Sequence, residues 1–429
     1  MKRGKKMLAV SAALIFSLSL ITSCGDGKTV DWRPYPFDSR VTSEVIAVET
    51  VADIPEAFIF GMDASCVPAL EAAGVRYYDH DGAEKDVFAI LAENGVNYIR
   101  VRVWNDPFDA DGNGYGGGNC DIENAIEIGK RATAAGMKLL VDFHYSDFWA
   151  DPGKQMTPKA WRGMLIDDKA EALRTYTEEC LRKLTRAGVE VGMVQIGNET
   201  CGSLCGESTW PNVTKLMSAG AAAVRKFCPE ALVAVHFTNP EKVGRFAVYG
   251  KKLNDHDVDY DVFASSYYPY WHGTMENLAA ELSYIAKTYG KKVMVAETSY
   301  AFTTENTDHH GNTVTAETKG DYPYTIEGQA AFLRDLTDTV VNQTENGIGI
   351  FYWEGTWISV GGKSYAENRA LWETHGAGWA SSFAGEYDPD DAGLWYGGCA
   401  VENQALFDEN GRATEALKLF GLLRNGGNE

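Results

Sequence analysis

Two stretches of this chain end in a way that invites chemistry. Val191–Thr200 reads V-G-M-V-Q-I-G-N-E-T and Lys291–Thr298 reads K-K-V-M-V-A-E-T. Each is an apolar run of strand character that stops at a glutamate, Glu199 in the first and Glu297 in the second. A carboxyl placed there stands at the mouth of a packed sheet, where burial and neighbouring charges pull pKa values apart. Two such groups facing one sugar ring can break a glycosidic bond: one protonates the leaving oxygen while the other faces the anomeric carbon. At a separation of about 5–5.5 Å the second attacks directly and configuration is retained; a wider gap admits water and inverts it. The pair Glu199 and Glu297 therefore reads as the catalytic set of a retaining glycosidase. A lone strand-end glutamate is as readily a helix cap or an ion-pair partner, so the weight falls on the pair. Asn198 is placed to bind a substrate hydroxyl and Tyr268 to hydrogen-bond the nucleophile.

The elements that must carry these residues follow a repeating rhythm. A β-branched or aromatic run is followed by a loop, then by a helix of 3.6-residue apolar spacing, then by another run. Eight strands are predicted: Phe58–Ser65, Tyr98–Trp104, Lys138–His144, Gly192–Glu199, Leu232–Phe237, Val262–Pro269, Lys292–Thr298 and Gly347–Glu354. Helices are predicted over Ala83–Asn94, Ile122–Ala135, Lys169–Ala187, Val213–Phe227, Met275–Tyr289 and Thr325–Asn346, with left-handed stops at Gly95, Gly136, Gly188, Gly290 and Gly347. Alternating βα units with near-continuous apolar strands imply a parallel sheet covered by helices, and eight of them imply an α/β fold closed into a (β/α)8 barrel, the TIM barrel. A doubly wound open sheet is the alternative, and it lacks a glycine-rich phosphate loop after the first strand. Polar and aromatic residues gather at the strand ends, which form one rim in a barrel. They include Asp63, Arg102, Trp104, His144, Trp149, His236, Tyr268 and Trp353. The roughly seventy residues after Glu354 read as a long loop and a closing helix, Glu415–Leu423, in the same domain.

The finer motifs resemble a known family. G-M-D-A-S at 61–65, Y-I-R-V-R-V-W-N-D-P at 98–107, L-V-D-F-H-Y-S-D-F-W-A-D-P at 140–152, Q-I-G-N-E at 195–199 and V-A-E-T-S-Y at 295–300 are joined by D-A-G-L-W-Y-G-G at 391–398 and E-N-Q-A-L-F-D at 402–408. Together they are similar to glycoside hydrolase family 53 of clan A, the endo-β-1,4-galactanases, from about residue 58 to about residue 420. The resemblance implies that Glu199 is the acid/base, Glu297 the nucleophile, Trp149 and Trp353 stacking platforms, and β-1,4-galactan of type I arabinogalactan the substrate. It also implies a calcium ion. Bacterial members bind one in the loop after strand seven, here Asn306-Thr-Asp308-His-His310-Gly-Asn312, where oxygen-bearing side chains alternate. Cys399, through its carbonyl, and Glu402 would complete that site, with Asn306 standing where an acid is usual. A solvated polar loop is the alternative reading of the same run. Two rival functions stay open at this point: a clan A enzyme for another β-linked glycan such as mannan or xylan, and a surface glycan-binding lipoprotein without catalysis.

Bulk properties narrow the partners. The formal net charge is −21 over 429 residues, which disfavours nucleic acid and acidic polymers and tolerates a neutral polysaccharide. The 11 Trp and 21 Tyr suit a groove that stacks on sugars, beyond those needed for the core. Residues 1–23 read as a lipoprotein signal: a basic start, an apolar Leu8–Ile21 too short to span a bilayer comfortably, and Ile21-Thr22-Ser23-Cys24. This resembles a bacterial lipobox, implying an exported protein held to the cell envelope through lipid on Cys24; ordinary secretory cleavage nearby is the alternative. Residues 24–57 read as a tether and 58–429 as the catalytic domain of a monomer. Seven further cysteines remain, and Cys201 and Cys205 are a candidate local disulfide. No C-x2-C spacing points to a thiolate metal site.

Overall fold

The computed structural model describes residues 46, 48–361 and 364–424. The leader, Cys24 and most of the expected tether lie outside these residues. Eight parallel strands close in sequence order: β1 (Ile59–Asp63), β2 (Tyr98–Val103), β3 (Lys138–Phe143), β4 (Val191–Ile196), β5 (Leu232–Phe237), β6 (Val262–Ser266), β7 (Lys292–Thr298) and β8 (Gly347–Tyr352), with β8 paired back to β1. The expected TIM barrel is present.

Strand parity explains what faces where. On β2, Ile99, Val101 and Val103 are buried against the helical layer, while Tyr98, Arg100 and Arg102 alternate with them and turn into the barrel. The floor of the barrel is a small apolar plug that includes Ile59, Leu140, Met193, Val262, Met294 and Phe351. Above it the inward positions become polar, with Asp63, Arg100, Asp142, Gln195 and His236 all fully buried. A charged layer on an apolar plug sets the site at the C-terminal end of the strands.

The outer layer comprises α1 (Val67–Ala72), α2 (Val87–Glu93), α3 (Ile122–Ala134), α4 (Ile166–Arg186), α5 (Trp210–Phe227), α6 (Arg245–Asp255), α7 (Met275–Tyr289) and α8 (Ile326–Asp338). The predicted helix over Thr325–Asn346 is shorter than expected. It ends at Asp338 and is followed by a π-helical turn, Thr339–Gln343, and the left-handed residue before β8 is Asn346 rather than Gly347. Helices α1 and α6 have no counterpart in the sequence reading. The predicted β4 also ends early, at Ile196, because Gly197 and Glu199 take left-handed backbone (φ 110° and 42°).

After β8 the chain forms α9 (Tyr365–His375), α10 (Ala392–Trp395) and a closing segment that ends in α11 (Leu419–Arg424). It is stitched to the rim: Gly117 N donates to Gly378 O at 2.7 Å and Ser381 N to Tyr115 O at 2.8 Å. At the other end of the domain the tether boundary needs correction. Ile46 and Val51 are buried, and Arg334 on α8 donates to the carbonyls of Glu49 (3.2 Å) and Thr50 (3.1 Å). The last residues of the expected tether are thus part of the folded body.

All seven described cysteines are free, including Cys201 and Cys205, so the expected local disulfide is not formed. Cys201 is directed at the Thr238 carbonyl instead (3.9 Å). Burial pushes both thiols up to about 12, a range in which a thiol is an unreactive small apolar group.

Candidate active site

A cleft opens over the polar end of the barrel, and both Glu199 and Glu297 line it. They arrive by different local devices. Glu199 lies three residues beyond β4, on the left-handed turn that Gly197 begins. Glu297 follows inward-facing Ala296, so simple alternation would turn it outward. The register of β7 shifts against both neighbours at this point, from Ser265↔Val295 to Ser266↔Glu297 on one side and from Val295↔Ile350 to Thr298↔Tyr352 on the other. The irregularity behaves as a β-bulge, which re-aims a side chain next to an active site.

Their surroundings differ in the sense that catalysis needs. Glu297 receives Arg100 Nη2 on Oε1 at 2.8 Å and the Tyr268 hydroxyl on Oε2 at 3.1 Å. Both contacts favour its anion. Glu199 has no guanidinium on it; Ser266 Oγ donates to its Oε1 at 2.6 Å. Burial raises both carboxyls, but Glu199 is pushed further, because the Glu297 charge adds to its own desolvation. The two acids are thus split into a proton holder and an anion, the division of labour of an acid/base and a nucleophile.

Arg100 is the hub beneath them. It is fully buried and donates to Asp63 (3.0 Å), Asp142 (2.8 Å) and Asn198 (2.9 Å) as well as Glu297. Such a buried charge is tolerable because it is paired on several sides. Arg102 is among the predicted site residues and Arg100 is not. The signal was available: Arg100 and Arg102 are two apart on one strand and share a face.

Among the predicted binding residues, Arg102, His144, Trp149, Asn198, Tyr268 and Trp353 line the cleft. Asp63, Trp104 and His236 do not; all three are fully buried and act beneath it. Asp63 accepts from Arg100 and Ser65. Trp104 donates from Nε1 to His144 Nδ1 at 3.1 Å and packs edge-on to Trp149 at 5.2 Å. With Nδ1 also accepting from Ala150 N (3.1 Å), the His144 proton sits on Nε2 and is donated to Asp142 (3.1 Å). Arg102 pairs with Glu354 and lies 4.4 Å from the Trp149 ring centre. Gly117 fits there only as glycine: its φ is +58°, and a Cβ would meet Trp104 at 2.8 Å.

The rest of the cleft wall is not among the predicted site residues, although Asp151 and Asp391 fall within the quoted motifs. Asp151, Lys154, Trp379 and Asp391 line it too. Lys154 bridges Asp388 (2.6 Å) and Asp391 (2.8 Å), and Trp149 Nε1 donates to the Trp379 carbonyl (2.9 Å). Those contacts bring the loop after β3 and the loop after β8 together across more than two hundred residues of chain.

The predicted cation loop is also assembled in part. Asp308 and Glu402 are buried near enough for their charges to interact, and Cys399 N donates to Asp308 Oδ2 at 2.6 Å. Burial lifts Asp308 to about 7 and raises Glu402 strongly, with the Asp308 charge adding to it. Glu402 Oε2 and Asn312 Oδ1 are buried without a hydrogen-bond partner. Two buried acids and two orphaned oxygens suit a hard cation. Asn306 departs from the expectation. Its amide donates to the His310 carbonyl and accepts from His309 N (3.0 Å), so it is used within the turn. The His310 ring packs edge-on to Trp372 (6.2 Å), and an imidazole is not a ligand calcium prefers. Among the described residues no three His, Cys, Asp or Glu side chains form a metal cluster, so any site here rests on Asp308 and Glu402 with amide and main-chain oxygens.

Comparison with known proteins gives the family. The chain is 50% identical over 428 residues to the endo-beta-1,4-galactanase of Bacillus subtilis (strain 168), covering 99% of this chain and 98% of that one. It is 33% identical to the arabinogalactan endo-beta-1,4-galactanase of Cellvibrio japonicus (strain Ueda107), over 74% of this chain and 85% of that one. Among solved structures, the Ignisphaera aggregans GH53 catalytic domain superposes with a TM-score of 0.78 at 39% identity, covering 88% of this chain and 99% of that chain. The model of glycosyl hydrolase family 53 matches residues 59–420, and the chain belongs to that family.

Proposed function

We propose that this protein is an endo-acting β-1,4-galactanase that cleaves the galactan of type I arabinogalactan with retention of configuration. The observation that carries the chemistry is the unequal pair in one cleft: burial raises both carboxyls, Glu199 further, while Arg100 and Tyr268 donate to Glu297 and favour its anion. The substrate rests on the similarity to the Bacillus and Cellvibrio galactanases. In the first step Glu297 attacks the anomeric carbon while Glu199 passes its proton to the leaving oxygen. In the second, Glu199 takes a proton from water, which displaces Glu297 and restores the β configuration. Asn198 keeps one amide hydrogen beyond its bond to the Ala150 carbonyl (2.8 Å) for a sugar hydroxyl. Trp149 and Trp353 serve as stacking surfaces. Digestion of potato or lupin galactan is expected to release short galacto-oligosaccharides whose new reducing ends are β when first formed, as read by proton NMR. Binding without products, or faster cleavage of mannan or xylan, would overturn this reading.

Calcium is proposed as a structural ion, held by Asp308, Glu402, Asn312 and main-chain oxygens such as that of Cys399. It would neutralise the buried acids and join the loop after β7 to the loop after β8. An ion bound only to the folded state stabilises by mass action, about 2.7 kcal/mol at a hundredfold excess over Kd. Chelator is therefore expected to lower Tm by several degrees, with recovery on adding calcium but not magnesium. A melting curve indifferent to chelator would remove the ion from the account.

The protein is further proposed to act outside the cell as a monomer, anchored through lipid on Cys24. The basic leader, its apolar stretch and the cysteine that follows support this. No helix among the described residues is long and apolar enough to cross a membrane.

A further inference from the structure

The groups behind Glu199 form an ordered chain. Ser266 Oγ, at the end of β6, lies 2.6 Å from Glu199 Oε1 and 2.9 Å from His236 Nε2. The other ring nitrogen, Nδ1, receives the backbone N–H of Glu199 itself at 3.3 Å and Gln195 Nε2 at 3.1 Å. Asn198 Oδ1 is also 3.0 Å from Nδ1, but it already accepts from Arg100 at 2.9 Å. Ser266 has one hydroxyl proton and donates it to Glu199 Oε1, so its oxygen can only accept from His236 Nε2, which places the ring proton there. Burial and the nearby Arg100 charge keep the ring neutral. The neutral imidazole thus donates through Nε2 to Ser266, and Ser266 donates to Glu199.

We propose that Ser266, its hydroxyl oriented by His236, is the positioning residue of the acid/base: it fixes Oε1 and so leaves Oε2 to carry the proton to the leaving oxygen. The inference rests on Glu199 being the acid/base. It also explains a feature of β6. Ser266 serves Glu199 and Tyr268, two residues on, serves Glu297, so one strand end sets both carboxyls. A hydroxyl that donates to an anion lowers the pKa of that acid, whereas the other charges around Glu199 raise it: Glu297 from β7 and Asp151 from the loop after β3. The hydroxyl of Thr238, just beyond β5, acts in the same sense as Ser266.

The test compares wild type, Ser266→Ala and Ser266→Thr on galactan and on an aryl β-galacto-oligosaccharide with a dinitrophenyl leaving group, which needs no proton. Ser266→Ala is expected to lower kcat on galactan roughly tenfold or more, the scale of a hydrogen bond to a charged group. Its rate of aryl release in the first turnover should stay within about twofold. The basic limb of its kcat/KM profile on galactan should move up by about one pH unit, because Glu199 loses a stabiliser of its anion. Ser266→Thr keeps the hydroxyl and should restore both. If the alanine variant does not fold, Ser266→Cys, close in volume and a weak donor, carries the same expectation. An unmoved basic limb, or an equal loss on both substrates, would overturn the proposal and leave Ser266 a packing residue. Glu199→Ala tests the underlying assignment separately: if it cleaves galactan at more than a tenth of the wild-type rate, the acid/base reading fails whatever Ser266 does.

Discussion

Glu297→Ala is expected to reduce galactan cleavage by roughly 10⁴-fold or more, the scale on which losing a covalent nucleophile is felt. Glu199→Ala should cost about 10²–10⁴-fold, because only proton transfer is removed. Azide tells the two apart. In the Glu199 variant an activated aryl substrate still forms the glycosyl-enzyme on Glu297. Azide can then enter from the face that Glu199 vacated and give a β-glycosyl azide. In the Glu297 variant azide takes the place of the missing carboxylate on the opposite face and gives the α-azide. Product anomers are read by proton NMR. An α-azide from Glu199→Ala, or a β-azide from Glu297→Ala, would exchange the roles. Either variant keeping more than a tenth of the wild-type rate would remove that residue from the chemistry. The expectation follows from the environments. Arg100 and Tyr268 sit on Glu297, and one donates to each of its oxygens. Glu199 has a serine hydroxyl and a neighbouring negative charge.

The barrel was legible because its signals are local. β5 and β7, and α7 with its left-handed stop at Gly290, match the predicted bounds residue for residue, since alternation, apolar spacing and the stop residue coincide there. The two glutamates were legible as the points where apolar runs end. How they come to face the cleft was not. The parity of β7 would point Glu297 outward, and only a register shift against both neighbours turns it in. Glu199 falls within the predicted strand, yet it stands on a left-handed turn past Ile196. Side-chain depth was also beyond a one-dimensional reading. Asp63, Trp104 and His236 stand at strand ends of the same rim but are fully buried behind the cleft rather than lining its opening. Lys154, Trp379 and Asp391 carry no periodic signal at all. They meet because a loop after β3 and a loop after β8 close over the rim, a contact set by tertiary structure alone.

Arg100→Met is expected to be the most destabilising single change in the site. The side chain is fully buried and neutralises Asp63, Asp142 and Glu297 within 3.0 Å. Its removal leaves buried carboxylates without their shared cation, a loss of about 3–5 kcal/mol. Arg102 remains near Asp63 (3.4 Å), so the deficit falls mainly on Asp142 and Glu297. The pH dependence has a definite sign. An acid whose folded pKa rises above its unfolded value binds more protons in the folded state, so it lowers stability as pH rises between the two values. The variant should therefore lose most stability near neutral pH and regain part of it as pH falls towards 5, seen in urea unfolding at both values. Glu297 loses the donor that favours its anion as well, so the acidic limb of kcat/KM should move to higher pH in whatever fraction folds. Arg100→Lys keeps the charge but cannot reach Asp63 through one nitrogen and Asp142, Asn198 and Glu297 through another, as the guanidinium does. It should recover part of the stability and little of the activity. A Met variant as stable as wild type at pH 7 would mean that the three acids are not held as anions by Arg100, and the split between Glu297 and Glu199 would need another cause.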